Sequence, residues 1–99
     1  MAANIERAGD SGNQAGRVGV INLVKTNSGH FVTPVSTSTD RLKLISWRLE
    51  ANGGFTRLGD SGDQAGTISR CASVAVGNNR LVTAIESKNS GQLKLISWQ

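Results

Sequence analysis

Two octapeptides hold most of the polar side chains with chemistry to offer. Gly9-Asp10-Ser11-Gly12-Asn13-Gln14-Ala15-Gly16 returns fifty residues later as Gly59-Asp60-Ser61-Gly62-Asp63-Gln64-Ala65-Gly66. In each copy an Asp carboxylate accepts hydrogen bonds, a Gln amide donates and accepts, and a Ser hydroxyl does both. Such a set suits a ligand rich in hydroxyl groups, with Asp10, Gln14, Asp60 and Gln64 as its polar contacts. The same residues also build turns, because glycine permits sharp reversals and Asp accepts nearby backbone N–H groups. Asp60 and Asp63 supply too few oxygens for a calcium loop, and the first copy has Asn13 where the second has Asp63. One cysteine and one histidine cannot form a zinc quartet or an internal disulfide. Neither a metal nor a cofactor is expected. Cys71 falls at the position of Ile21 and reads as a small buried hydrophobe. His30 reads as a solvated turn residue. A second motif, Leu-Lys-Leu-Ile-Ser-Trp, ends at Trp47 and again at Trp98. An exposed indole there would make a stacking platform for a sugar ring, and core packing is the competing use of so large a side chain.

The elements that position these residues follow from the repeat. The octapeptides are offset by 50 residues and the tryptophans by 51, so one supersecondary unit of about 50 residues has been copied. We divide the chain into a first repeat over about 5–54 and a second over about 55–99, within one domain spanning 1–99. The hydrophobic share is 37%, and the 12 glycines raise it to an ordinary globular level. Small domains bury proportionally little surface and often need staples or partners. With no disulfide available, a partner copy is the expected device. The net charge of +4 comes from scattered Lys and Arg, which fits solvated strand faces better than a nucleic-acid footprint. No apolar run approaches a membrane span, and the opening residues lack a secretory pattern. A cytoplasmic location is the default expectation.

Strand signals dominate both repeats. Val18 to Thr26 and Ile68 to Val76 form one strand type, the second rich in small residues suited to a crowded inner position. Leu81 to Ile85 is short and rich in branched residues. Leu42 to Leu49 alternates between two faces. Phe55 to Leu58 is a fourth type, echoed by Ile5 to Ala8. Asn27-Ser28-Gly29, Gly77-Asn78-Asn79 and Asn52-Gly53-Gly54 supply the tight turns. No stretch has helical periodicity. Pro34, where the second copy has Ala84, removes a ladder donor and is expected to distort its strand.

The run of Gly-Asp-Ser-Gly-(Asn/Asp)-Gln-Ala-Gly, Leu-Val-Thr-Ala and Leu-Lys-Leu-Ile-Ser-Trp resembles the blade repeats of bacterial β-propellers. The build is similar to small lectins that assemble a propeller from short two-blade chains. The resemblance implies an all-β fold of two four-stranded antiparallel blades. On that reading the chain opens with an outer strand and ends without one. Ile5 to Ala8 of one subunit would then complete the last blade of its neighbour, closing a ring. Six blades in a homotrimer is the first expectation and eight in a homotetramer the second. Gly-Asp-Ser-Gly also resembles the nucleophile segment of trypsin-like proteases, but the motif occurs twice, the following Gly-Pro is missing, and His30 is the sole candidate base. The expected function is a non-enzymatic, multivalent, lectin-like module that binds glycans. The alternative is a protein–protein scaffold, or a fragment of a longer propeller with no ligand of its own.

Overall fold

The computed structural model describes residues 5–99, and among them every regular element is a β-strand. Seven strands follow in chain order: β1 (Val24–Asn27), β2 (His30–Ser36), β3 (Arg41–Leu49), β4 (Phe55–Asp60), β5 (Gln64–Gly77), β6 (Arg80–Ser87) and β7 (Leu93–Trp98). All pairings are antiparallel and make one seven-stranded system of two meanders, β1-β2-β3-β4 and β5-β6-β7. The first residues of β3 join the start of β5 through Arg41 opposite Thr67 and Leu42 opposite Gln64. The turns use left-handed backbone at Gly29, Gly53 and Asn79, as tight hairpins require.

The meanders repeat each other in register. Phe31 faces Trp47 and Ser36 faces Leu42 across β2–β3, as Leu81 faces Trp98 and Glu86 faces Leu93 across β6–β7. Val24 opposite Val32 and Lys25 opposite Phe31 recur as Val74 opposite Val82 and Ala75 opposite Leu81, with a bulge following at the matching position. Register places alternate side chains on opposite faces. The duplicated sequence therefore gives each meander the same two faces.

The two faces are used unequally: the first meander covers part of both within the chain, and the second meander covers one. Val24, Leu42 and Leu44 of the first meander pack against Ile68, Leu81 and Ile85 of the second, forming the main core. A smaller core joins Val35, Ile45 and Trp47 to Ala15 and Val18. The residues of the second meander that match Val24, Leu42 and Leu44 are Val74, Leu93 and Leu95. The first three are 7%, 0% and 6% exposed, and their counterparts are 60%, 76% and 66% exposed. On the opposite face of the first meander, Ile21 and Leu23 are exposed as well.

Two expectations need correction. The strand from Val18 to Thr26 is cut to Val24–Asn27, preceded by an isolated bridge from Ile21 to Val35. Pro34 leaves its own strand regular, since β2 runs in continuous register with β3. The irregularity falls on β1 instead. The Pro34 carbonyl accepts from the Asn22 amide, so its ring nitrogen also faces the β1 side, because N and C=O of one strand residue point the same way. The missing donor thus weakens the β1 ladder. Ile5 to Ala8 adopts no strand within the chain. Its end, Ala8-Gly9, lies against the β3–β4 turn so closely that a Cβ on Gly9 would meet the Gly53 carbonyl at 2.5 Å.

Candidate functional site

The two octapeptides fold alike because each sequence bonds to itself in the same way. Asp10 Oδ1 accepts from the Gly12 amide at 2.8 Å, and Asp60 Oδ1 accepts from Gly62 at 2.8 Å. Gln14 Nε2 donates to the Ser11 carbonyl, and Gln64 Nε2 to the Ser61 carbonyl. Ser11 and Ser61 Oγ donate to the carbonyls of Gly12 and Gly62. Left-handed backbone recurs at Gly12, Ala15 and Gly16 and at Gly62, Ala65 and Gly66. Both loops are therefore turns first, and their Gln amides already have backbone partners.

The second loop differs in being docked. The Ser61 amide donates to the Leu44 carbonyl at 2.8 Å, and the Leu44 amide donates to Ser61 Oγ at 2.9 Å. Ser61 extends the β3–β4 ladder by one rung, and its hydroxyl proton is committed to Gly62. Arg57 bonds Asp60 at 2.9 Å and lies 6.0 Å from the centre of the Trp47 ring. The Gly62 amide, then Arg57 and Lys43, hold the Asp60 carboxyl below the usual carboxylate range. Asp60 is thus an anion at neutral pH.

Three of the expected site residues meet at one cavity. Trp47, Asp60 and Trp98, with Ser46, Ser61 and His30, line a space of about 440 Å³ between the first meander and the end of the second. Trp47 is buried, whereas Trp98 is half-buried. Asp10 and Gln14, on the first loop, and Gln64, at the start of β5, lie outside it and are exposed. The Arg57 guanidinium does reach Gln14 Oε1, at 3.5 Å.

Reading the sequence alone missed the residues that hold the indoles. Trp47 Nε1 donates to Thr33 Oγ1 at 2.9 Å, and Trp98 Nε1 to Thr83 Oγ1 at 3.0 Å. Thr33 and Thr83 share the octapeptides' offset of fifty, which was the available signal. Thr83 is fully buried and also bonds Ser73 at 2.8 Å. The single cysteine, Cys71, is half-buried against the main core, and desolvation pushes its thiol pKa up. Among the described residues no group of three or more His, Cys, Asp or Glu side chains gathers as metal ligands would. The lining thus combines aromatic and aliphatic residues with Asp60, Ser46 and Ser61. No protein-family model, curated protein or solved structure matches the chain.

Proposed function

We propose that the chain is a non-enzymatic, multivalent glycan-binding module, built as a two-blade unit of a β-propeller that closes with copies of itself. The observation that carries the binding reading is the convergence of Trp47, Asp60 and Trp98 on one cavity. Sugars present apolar C–H faces ringed by hydroxyls. Indole and polar residues in one lining suit both parts, and the cavity volume lies in the range of small-ligand sites. The propeller reading is supported by two meanders whose first three strands repeat in one register. The ring reading is supported by equivalent leucines buried in one meander and bare in the other. One face of the first meander packs on the other face of the second within the chain, and the same unlike pair of faces can meet again between chains. Such head-to-tail contacts close when the rotation fits, with three chains the first expectation and four the second. Several equivalent sites on one ring would convert weak contacts into avidity.

A glycan array followed by titration tests the binding role. One sugar class should bind, and Asp60→Asn should lose about tenfold or more, as expected for one charge-assisted hydrogen bond, with its solution mass unchanged. A protein that binds no sugar at millimolar concentration while assembling normally would be the scaffold, and the glycan reading would be lost.

A further inference from the structure

A second cavity, of about 400 Å³, lies on the bare face of the second meander and is lined by Val76, Arg80, Leu81, Ser97, Trp98 and Gln99. Five of these residues are repeat counterparts of residues lining the first cavity: Thr26, His30, Phe31, Ser46 and Trp47. The duplication has thus begun the same cavity twice. What the second one lacks is the wall that β4 and its following loop, Leu58 to Ser61, give the first. The chain holds one other copy of that wall, Ala8 to Ser11, and it lies elsewhere, against Gly53.

We infer that the second cavity is a binding site shared between two subunits, completed by Ala8 to Ser11 of another copy of this chain. The inference rests on the ring proposed above and specifies which residues cross between chains. The β3–β4 pairing supplies the register. Trp47 opposite Arg57, Ser46 opposite Gly59 and Ile45 opposite Asp60 become Trp98 opposite Arg7, Ser97 opposite Gly9 and Ile96 opposite Asp10. Leu95 then offers the backbone donor and acceptor that Leu44 offers Ser61, and Ser11 takes them. Those groups of Leu95 point to the free edge, because Leu95 pairs with Ala84 as Leu44 pairs with Pro34. The charges also agree. Arg7 lies 3.7 Å from Asp10, the pair that Arg57 and Asp60 form beside Trp47, so the same pair would sit beside Trp98. The shared site would take the same ligand class as the first, a hydroxyl-rich ring against an indole.

Cysteine pairing reads this directly without any ligand. Thr56 faces Arg48 across β3–β4, so Glu6 of one subunit should face Gln99 of the next. Facing residues lie about 4.5–5.5 Å apart, within disulfide reach. Two chains are prepared, Glu6→Cys and Gln99→Cys, each with Cys71→Ala. Both new positions are exposed, so folding is not at risk there. After mixing, exchange of subunits and mild oxidation, the unlike pair should exceed like pairs about tenfold, as held neighbours react at high effective concentration. An assembled protein with no such preference would overturn the shared cavity and leave the ring standing. A solution mass of 10.4 kDa would overturn both.

Discussion

The two tryptophans show how a single side chain can decide whether a repeated motif becomes core or site. Each indole N–H is taken by a threonine one strand over, Thr33 for Trp47 and Thr83 for Trp98. An unmet buried indole donor costs about 1–3 kcal/mol, so the threonine hydroxyl fixes the ring by its polar edge. Thr83 carries more than Thr33, because it is fully buried and bonds Ser73 as well. Thr83→Val should therefore lower unfolding free energy by about 1–3 kcal/mol, and Thr33→Val by less, near 1 kcal/mol. Urea denaturation of both variants checks the order. The carboxylates give a second prediction. Asp60 is held below its ordinary pKa first by the Gly62 amide and then by Arg57, and Glu50 first by Thr56 and then by Arg48. A depressed carboxylate contributes stability above its unfolded pKa and loses it as pH falls through the folded value. The thermal midpoint should hold from pH 7 to about pH 5, then fall below about pH 4, the unfolded carboxylate range. Asp60→Asn should flatten part of that fall, and thermal melts across pH 2–7 would detect it.

Pro34 places its effect on the neighbouring strand. Its ring nitrogen faces β1, whose regular pairing ends at Val24 opposite Val32, while the β2–β3 register passes it undisturbed. Pro34→Ala restores one donor toward Asn22, at the place where the second copy pairs Ala72 with Ala84. Hydrogen exchange should slow for amides within 18–23. Global stability should change by less than about 1 kcal/mol, because the added bond is offset by the freer unfolded chain. Unchanged exchange there would show that the loop before β1, and not the proline, shortens the strand. Much of this element-level order was legible from period and turn residues: the meanders, the Asn-Gly-Gly turn, and the octapeptide as connector of β4 to β5. The side on which Pro34 acts was not legible, since hydrogen-bonding direction depends on register and not on composition. Nor was the cavity. It exists because one meander's face stacks on the other's, and no spacing along the chain reveals which faces meet. That Asp60 lines it while Asp10 does not follows from the docking of Ser61 on Leu44, a contact only one octapeptide makes within the chain.

At the scale of the molecule, two surfaces of the same sequence stand in opposite conditions. Leu42 and Leu44 are nearly sealed, yet Leu93 and Leu95, in the same motif and register, stand open beside Val74. A contiguous apolar patch rimmed by polar residues marks an interface, and this one is bordered by the unpaired edge of β7. If a second copy covers it as the second meander covers Leu44, charge at the two leucines will have opposite consequences. Leu44→Glu buries an unpaired carboxylate in the main core and should unfold the chain, the cost reaching several kcal/mol. Leu95→Glu leaves the isolated subunit intact, because the residue meets water there, but it forbids stacking. Light scattering after gel filtration should give the parent chain three or four times its 10.4 kDa mass and Leu95→Glu the single-chain mass, with β-sheet circular dichroism retained. Were both to run as folded single chains of one mass, the bare face would have no copy of itself as partner, and the ring would fall with it.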